Sequence, residues 1–251
     1  MSEAIRCDNL TIGYGTHVVQ SALTFSLCEG EMVCMLGPNG CGKSTLLRTL
    51  AGLQPPLCGT YSLLGVSSEK AGESSAERAK HLALVLTERL SLEHTTVHDV
   101  VAMGRYPYSS FLGGLSADDE AVIADALQQV GLQDMADTYF NNHSDGEKQR
   151  ILIAKALAQQ TPVILLDEPT AHLDLPNRIR TLQLLRHLAH EQGKTILIST
   201  HELDLALQLS DRILLMSDGG IQLDTAQALR ARNAFTAAFK MDIFHPLYAT
   251  P

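Results

Sequence analysis

The chain has 251 residues, 45% of them hydrophobic, and a formal net charge of −9 at pH 7. This length is enough for a substantial core, in one large domain or in two small lobes. The acidic balance, the absence of Trp and the lack of a basic run argue against nucleic acid as the main partner.

Short apolar runs predict eight strands along the chain. The early runs are separated only by turns, which favours an antiparallel layer. The later runs alternate with helical segments, which favours a parallel sheet covered on both faces. The fold class is therefore α/β. In chain order the predicted strands are residues 5–10, 23–27, 32–36, 61–64, 82–86, 163–166, 195–199 and 213–216.

The third strand leads into Gly-Pro-Asn-Gly-Cys-Gly-Lys-Ser-Thr, which fits the phosphate-binding pattern G-x-x-x-x-G-K-[ST]. Glycines let the backbone wrap a phosphate, and a helix start, predicted here over 46–51, adds partial positive charge. Lys43 can reach the β and γ phosphates of a nucleotide, and the Ser44 hydroxyl can bind Mg²⁺. The residues predicted to bind the nucleotide are Gly37, Pro38, Asn39, Gly40, Cys41, Gly42, Lys43, Ser44 and Thr45.

From about residue 87 to residue 160 the sequence is rich in Ala, Leu and Gln, with helical periodicity over 117–130 and 147–160. We predict a mostly helical lobe inserted between two parts of the α/β core, residues 1–86 and 161–251. The tail from about residue 225 is predicted to form short helices, too little for another domain.

Two acids, Asp167 and Glu168, follow the sixth predicted strand. Such a strand delivers carboxylates to the carboxyl edge of the sheet, where open α/β sheets bind ligands. Asp167 would hold Mg²⁺, largely through water, and Glu168 would orient or deprotonate the attacking water. Taken alone, a solvated strand end would be the better interpretation, but the phosphate loop favours the catalytic one.

Two further positions could complete a site. His201 follows the strand at 195–199 and could hydrogen-bond a γ-phosphate, although a surface His at a helix start fits the spacing equally well. Ser144 and Glu147 form a capping box for the next helix. A capped helix start with Gly146 nearby is also an anion site.

The five cysteines are an odd number and include no C-x-x-C pair. They are predicted to be free thiols in a reducing cytosol rather than metal ligands. Cys41 lies inside the phosphate loop and could be sensitive to oxidation, although an inert role is favoured. The N-terminus lacks a signal-peptide core, and no stretch is apolar and long enough to span a bilayer, so we expect any membrane role to come through a partner.

Together these segments resemble the ATP-binding subunit of ABC transporters, over nearly the whole chain. Tyr14 matches the aromatic residue that stacks on adenine, a role that the resemblance favours over that of an ordinary turn Tyr. The resemblance implies a P-loop NTPase (RecA-like) core with an antiparallel β layer and an inserted helical lobe. The family's other motifs correspond to residues 37–45 (Walker A), 142–150 (signature), 163–168 (Walker B), 171–174 (D-loop, with Asp174) and His201 (switch histidine).

The resemblance also implies hydrolysis of ATP, with Mg²⁺, in a head-to-tail homodimer. Each ATP would touch the Walker A motif of one copy and Ser144, Gly146 and Glu147 of the other. Closure would move two transmembrane permease subunits, served by a substrate-binding protein, and hydrolysis would reopen the dimer. The protein would then lie on the cytoplasmic face of the membrane. The implied catalytic residues are Glu168, His201 and Lys43.

The sequence of the predicted helical lobe points to one subfamily of these transporters. Residues 101–108, Gly113 and residues 116–119 look like the lobe of importers for iron–siderophore, haem and cobalamin, and the short C-terminus agrees. The alternative is a soluble ABC ATPase scaffold, as in iron–sulfur cluster assembly. A nucleotide sensor without hydrolysis is disfavoured by the intact pair of Lys43 and Glu168.

Two motifs depart from the family pattern. The signature, usually Leu-Ser-Gly-Gly-Gln, is His-Ser-Asp-Gly-Glu at residues 143–147. His143 replaces an apolar anchor and Asp145 adds charge near the nucleotide, so we expect a weakened closed dimer. The Gln of the Q-loop is replaced by Thr87, followed by Glu88. Either could supply an oxygen to Mg²⁺, and Glu88 is the predicted ligand.

Overall fold

The computed structural model describes residues 2–68, 75–86, 92–108, 114–171 and 173–240. Short 3₁₀ segments cover Met103–Tyr108, Gln133–Met135 and Phe140–Asn142. The strands are β1 (Glu3–Tyr14), β2 (His17–Cys28), β3 (Met32–Leu36), β4 (Cys58–Leu63), β5 (Val66–Ser67), β6 (Leu82–Val85), β7 (Val163–Asp167), β8 (Thr195–Ser199), β9 (Arg212–Ser217) and β10 (Gly220–Asp224). The α-helices are α1 (Lys43–Leu50), α2 (Ser75–His81), α3 (Val97–Ala102), α4 (Ala117–Gln129), α5 (Asp145–Ala158), α6 (Leu175–Gln192), α7 (Leu203–Leu209), α8 (Ala226–Ala231) and α9 (Ala234–Phe239).

The strands form two sheets. In one, β9, β3, β8, β7 and β6 run parallel in that spatial order, and β10 pairs antiparallel with β9 at one edge. In the other, β2, β1, β4 and β5 are antiparallel. Every residue of β3, β7 and β8 is buried, which is typical of parallel strands covered on both faces. The predicted α/β class with an antiparallel layer is confirmed.

The parallel sheet separates two hydrophobic clusters. Val33, Leu165 and Leu197 belong to a cluster with residues of the antiparallel sheet and of α1. Ile164 and Ile198 belong to a second cluster, with α6 and the helices α3 to α5. Successive side chains of a strand point to opposite faces. Both faces of the parallel sheet are therefore covered by apolar packing. The edge formed by the carboxyl ends of the strands is not part of these two faces.

The helices α3, α4 and α5 lie between β6 and β7 in the chain and pack on one another. Their buried side chains include Val101, Ile123 and Ile151. They fall within the segment predicted to be a helical lobe. The boundaries drawn for that lobe and for the two parts of the core stay predictions.

Several element boundaries differ from the predicted ones. The strands β1 and β2 extend beyond their apolar runs because their exposed residues continue the antiparallel ladder. Helix α1 begins at Lys43 rather than Leu46, and α5 begins at Asp145 because Ser144 caps it. The short strands β5 and β10 were not predicted, since neither contains a fully buried residue. No described helix is both long and apolar enough to cross a bilayer.

Arg105 joins the 3₁₀ segment after α3 to the two helices that follow. Its side chain is largely buried; Nε donates to Asp119 Oδ1 at 2.7 Å, and Nη1 donates to Ala158 O and Gln160 Oε1, each at 2.8 Å. Hydrogen bonds from Ser116, and then from Arg105, lower the pKa of Asp119 to about 2. The carboxylate is therefore charged at neutral pH, and the helical region has a buried ionic connection.

We expect Arg105→Ala to lower the free energy of unfolding by about 2–4 kcal/mol. The change removes one partner of the pair with Asp119 and leaves Ala158 O and Gln160 Oε1 without their donor. Chemical denaturation monitored by circular dichroism measures the change. Arg186→Ala, on the exposed side of α6, is the matched control and should alter stability by less than about 0.5 kcal/mol. Equal stability of the two variants would contradict the structural role of Arg105.

Candidate functional site

The loop at residues 37–42 joins the end of β3 to the start of α1. Gly37 has a φ of 157° and Gly42 a φ of 103°, values that favour glycine. A Cβ atom on Gly37 would lie 2.3 Å from the carbonyl oxygen of Met216, and one on Gly42 would lie 2.8 Å from Val19 Cγ1. The backbone path therefore requires both glycines, because the loop is packed closely against β9 and β2.

Lys43 and Ser44 form the first turn of α1. Lys43 is 7% exposed, and its Nζ donates to the carbonyl oxygens of Gly37, at 2.8 Å, and Pro38, at 3.1 Å. An ammonium group has three N–H donors, so one remains for a phosphate bound by the loop. Ser44 is exposed, and its hydroxyl is accessible to a ligand.

Tyr14 lies at the end of β1, beside the same helix turn. Its hydroxyl is 3.2 Å from Thr45 Oγ1, while the residue is 51% exposed. A tethered hydroxyl with an exposed ring is suitable for stacking on a planar base. The predicted contact with adenine stays a prediction.

Gln20 is a residue at the loop that sequence reasoning missed. It lies in β2, is 7% exposed, and its Nε2 donates to Cys41 O at 3.0 Å and to Ser217 O at 2.9 Å. One amide group thus connects the antiparallel sheet, the loop and the end of β9. The only signal in the sequence was a polar residue at an inward-facing position of a strand, and the predicted strand began three residues later.

Cys41 packs inside the loop rather than facing solvent. It is buried, and burial raises the pKa of its thiol, which leaves less of the reactive thiolate near neutral pH. This favours the inert role over sensitivity to oxidation. All five cysteines are free thiols.

Asp167 and Glu168 leave the parallel sheet at the same edge as the loop. Met35 of β3 pairs with Ser199 of β8, and Ser199 pairs with Asp167 of β7, so the three strands end side by side. Asp167 is 7% exposed, and its Oδ1 accepts a hydrogen bond from Ser199 Oγ at 2.5 Å. The register therefore brings the loop and the two acids together.

Glu168 has a left-handed backbone, with φ 49°, which is uncommon outside glycine. Its N–H donates to both the carbonyl and the hydroxyl oxygen of Ser199, each at 3.0 Å. Its Oε1 lies 2.5 Å from His201 Nε2, and both side chains are partly exposed. Strained backbone that its neighbours hold in place clusters at functional sites. The contact with Glu168 favours a functional role for His201 over that of an ordinary surface His.

Asp174 occupies a structural position at the start of α6. Its Oδ1 accepts from Asn177 N at 3.1 Å and so caps the helix. Arg178, one turn later, donates to Leu173 O at 2.7 Å and to Glu202 Oε1 at 2.6 Å. These bonds connect the segment before α6 to the residue after His201, while the predicted nucleotide contact of Asp174 stays a prediction.

Ser144 and Glu147 form the predicted capping box at the start of α5. Glu147 Oε2 accepts from Ser144 N at 2.9 Å and from Ser144 Oγ at 2.8 Å, and Ser144 Oγ accepts from Glu147 N at 3.3 Å. The hydrogen bonds from Ser144 lower the pKa of Glu147. The hydroxyl proton of Ser144 is therefore used within the chain, and a phosphate would have to take it over from Glu147.

His143 anchors this helix start through polar contacts. Its Nε2 is 2.7 Å from Thr138 Oγ1, its Nδ1 is 3.6 Å from Glu147 Oε2, and its side chain is 9% exposed. The replacement of an apolar residue by His therefore leaves the start of α5 well formed. Whether it weakens a dimer is a separate question, and the expected weakening stays a prediction.

Some of the predicted positions lie outside the described residues. They are Thr87, Glu88, Gly113 and His172. Glu88 as a Mg²⁺ ligand, and Thr87 as its alternative, therefore stay hypotheses.

Comparison with known proteins decides the family. Residues 21–171 match the model of the ABC transporter family, described as "ABC transporter". The chain belongs to this family. It is an ABC ATPase, and the fold, the family resemblance and the predicted enzyme class are confirmed.

Two curated relatives and two solved structures illustrate the similarity. A probable siderophore transport system ATP-binding protein of Bacillus subtilis is 37% identical over 99% of this chain and 91% of its own. The ferric enterobactin transport ATP-binding protein of Escherichia coli is 36% identical over 86% and 79%. A metal-chelate type ABC transporter in an inward-facing conformation has a TM-score of 0.83 and 30% identity over 95% of this chain and 90% of that one. A dimeric ATP-binding cassette bound to ADP and Pi has a TM-score of 0.78 and 27% identity over 88% and 98%.

This ABC ATPase thus gathers part of its predicted site at one sheet edge. The Walker A loop, both acids and His201 lie where β3, β7 and β8 end. The individual roles of these residues stay predictions that the geometry supports.

We expect Gln20→Leu to weaken ATP binding about tenfold, because the loop loses the donor to Cys41 O, a bond worth about 1.4 kcal/mol if fully expressed. Fluorescence titration with a labelled ATP analogue measures the dissociation constant. Gln222→Leu, on the exposed edge strand β10, is the matched control and should bind normally. Unchanged affinity in Gln20→Leu would show that the loop does not need this bond.

Proposed function

We propose that this ABC ATPase energises a membrane importer for iron chelates, such as siderophores or haem, or for cobalamin. The relatives support this cargo class, because they include siderophore, ferric enterobactin and cobalamin transport proteins. The structural similarity to a metal-chelate transporter points the same way. A soluble scaffold protein, the alternative, has no such support among these relatives.

The donors at the sheet edge fit a Mg²⁺ ion. The ion prefers oxygen ligands, keeps several waters and uses few protein groups. Ser44 offers an accessible hydroxyl and Asp167 a carboxylate fixed by Ser199. No cluster of three or more potential metal-binding side chains occurs among the described residues. When bound, Mg²⁺ would neutralise charge on the transferred phosphoryl group.

The pairing of Glu168 with His201 carries the proposal of hydrolysis. Glu168 is oriented by Ser199 through its backbone and by His201 through its carboxylate. A carboxylate positioned in this way can accept a proton from water as it attacks the γ-phosphate. His201 Nε2 can then donate to the phosphate or to Glu168, while Lys43 holds the phosphate oxygens.

A second copy of the chain would complete each site. Two of the solved cassettes to which this chain is similar are dimeric. In a head-to-tail pair Ser144, Gly146 and Glu147 would face the nucleotide of the other copy, with Asp174 close to the same interface. The N-terminus of α5 would add its partial positive charge. A C₂ arrangement would make the two sites equivalent.

The permease would dock on an apolar groove of about 330 Å³ between the core and the helical lobe. Its lining includes Leu53, Leu84 and Val85 on the core side and Leu152 and Lys155 on α5. Leu86, which also lines the groove, directly precedes Thr87 and Glu88 in the sequence, so a docked permease would contact the chain one residue from the Q-loop positions. In this proposal the chain attaches peripherally to the membrane, and a substrate-binding protein acts through the permease.

We expect Glu168→Gln to bind ATP with unchanged affinity but to lose at least about 100-fold in turnover, because general base catalysis contributes about 10²–10⁴-fold. The variant should accumulate as an ATP-bound dimer, which size-exclusion chromatography with light scattering measures. Glu29→Gln, exposed in the turn after β2, is the control. Normal hydrolysis by Glu168→Gln would exclude Glu168 as the base.

We expect Leu53→Glu to abolish stimulation of the ATPase by a co-expressed permease while basal hydrolysis is retained, because a charge is placed in the apolar groove. Phosphate release from the complex in lipid vesicles measures the stimulation. Leu115→Glu, partly exposed before α4, should retain it. A wild-type chain that purifies without a polytopic membrane protein and is never stimulated by one would favour the scaffold alternative.

A further inference from the structure

Ser199 is the last residue of β8 and lies where the neighbouring strand β7 leaves the parallel sheet. It is fully buried, and it pairs with Asp167, the last residue of β7. Glu168 follows directly and turns away from the ladder with a left-handed backbone. A polar side chain that is buried at such a position needs hydrogen-bond partners inside the protein. The partners of Ser199 are the two acidic residues of the candidate site.

The hydroxyl group of Ser199 bonds to both acidic residues at once. Its Oγ donates to Asp167 Oδ1 at 2.5 Å and accepts from the backbone N–H of Glu168 at 3.0 Å. A hydroxyl has one proton to donate and two lone pairs, so the carboxylate on one side takes the proton and a lone pair stays for the N–H. Hydrogen bonds arranged in series polarise one another. The hydroxyl therefore links the Asp167 carboxylate to the backbone of Glu168.

The residues after Ser199 hold the other end of Glu168. Two positions later, His201 Nε2 lies 2.5 Å from Glu168 Oε1. Thr200, between them, is buried, and its backbone N–H donates to Met35 O of β3 at 3.2 Å. Glu168 is thus held at its backbone and at its carboxylate by one short segment that is fixed to the sheet.

A second buried hydroxyl in β8 shows what a purely structural contact looks like. Thr195, at the amino end of the strand, is buried, and its Oγ1 donates to Cys28 O at 3.4 Å. That bond joins the start of β8 to the end of β2. The bonds of Ser199 instead go to two acids with proposed roles in hydrolysis. Loss of an outer partner of a metal ligand typically costs about 10–100-fold in metal affinity or activity.

We propose that Ser199 is a positioning residue for ATP hydrolysis, whose hydroxyl couples the metal-binding carboxylate to the catalytic base. The inference rests on the roles proposed above for Asp167 and Glu168 and adds a dependence of one on the other. Without the hydroxyl, Asp167 loses a donor that orients its carboxylate, whereas the Glu168 N–H retains its bond to the Ser199 carbonyl oxygen. Metal affinity and turnover therefore fall together, while the phosphate loop and the fold are retained.

Two β-branched variants isolate the hydroxyl. Ser199→Thr keeps it, whereas Ser199→Val has nearly the same shape without it, so the effect of the added bulk cancels between them. We expect Ser199→Val to have a kcat about tenfold lower than that of Ser199→Thr at saturating Mg²⁺, with an equal KM for ATP, because the acids are misplaced but the loop is not. Phosphate release measures both constants, and melting temperatures check that both variants are folded.

Metal affinity is measured without turnover. Mn²⁺ is titrated into the full chain, kept in excess over a bound non-hydrolysable ATP analogue, and free Mn²⁺ is followed by electron paramagnetic resonance. We expect Ser199→Val to bind Mn²⁺ about tenfold more weakly than Ser199→Thr. Thr195→Val, the matched control, removes a buried hydroxyl from the other end of the same strand and should change neither kcat nor Mn²⁺ affinity.

Three results would overturn the proposal. One is equal kcat and equal Mn²⁺ affinity in Ser199→Thr and Ser199→Val. Another is weaker Mn²⁺ binding in Ser199→Val with an unchanged kcat, because the hydroxyl would then serve Asp167 alone. The third is a comparable loss in Thr195→Val, since any buried hydroxyl of β8 would then have the same effect. Failure of the proposed function is distinguishable, because it is seen as normal hydrolysis by Glu168→Gln in a chain with Ser199 unchanged.

Discussion

The hydroxyl group of Ser199 is the contact on which the candidate site depends most. It donates to Asp167 Oδ1 and accepts from the backbone N–H of Glu168. Ser199 is itself aligned by the parallel ladder, between Met35 on one side and Asp167 on the other. A shift of register by one residue would turn every side chain of a strand to the opposite face. The register of the parallel ladder therefore determines where the carboxylates lie.

The two sheets constrain the phosphate loop from both sides. Met216, at the end of β9, leaves no space for a side chain on Gly37, and Gln20 in β2 donates to the carbonyl of Cys41. The antiparallel layer thus does more than cover the core, because it also fixes the backbone whose N–H groups would bind phosphate. Preorganised donors of this kind need little rearrangement when charge develops on a transferred phosphoryl group.

The sequence was most informative where the chemistry is local. Residues 32–36 and 195–199 were predicted with their observed limits, because buried parallel strands are continuous apolar runs. The phosphate loop and the capping box of Ser144 were also predicted, because each is defined by a short run of consecutive residues. The partner and the cargo class came from the family resemblance, because hydrophobic periodicity predicts secondary structure but neither of these.

Contacts between distant segments were the part that sequence reasoning could not supply. Gln20 and Ser217 are far apart in the chain, and nothing in a run of strand residues specifies that an amide will bridge them. The short strands β5 and β10 pair through backbone groups with little apolar patterning. Within the described part of the chain, Arg150 and Gln129 each have one satisfied and one unsatisfied polar atom, a distinction that exists only once the helices have packed.

The signature segment shows how one substitution alters the electrostatics of closure. The Ser144 hydroxyl donates to Glu147, so a γ-phosphate bound there in the proposed dimer would have to replace a carboxylate acceptor. A glutamine at this position could accept the same bonds from Ser144 but would leave no second negative charge beside the phosphate. His143 Nδ1 lies 3.6 Å from Glu147 Oε2. If the signature of one copy binds the nucleotide of the other, as proposed, closure would place the charge of Glu147 beside a phosphate, which an uncharged signature would avoid.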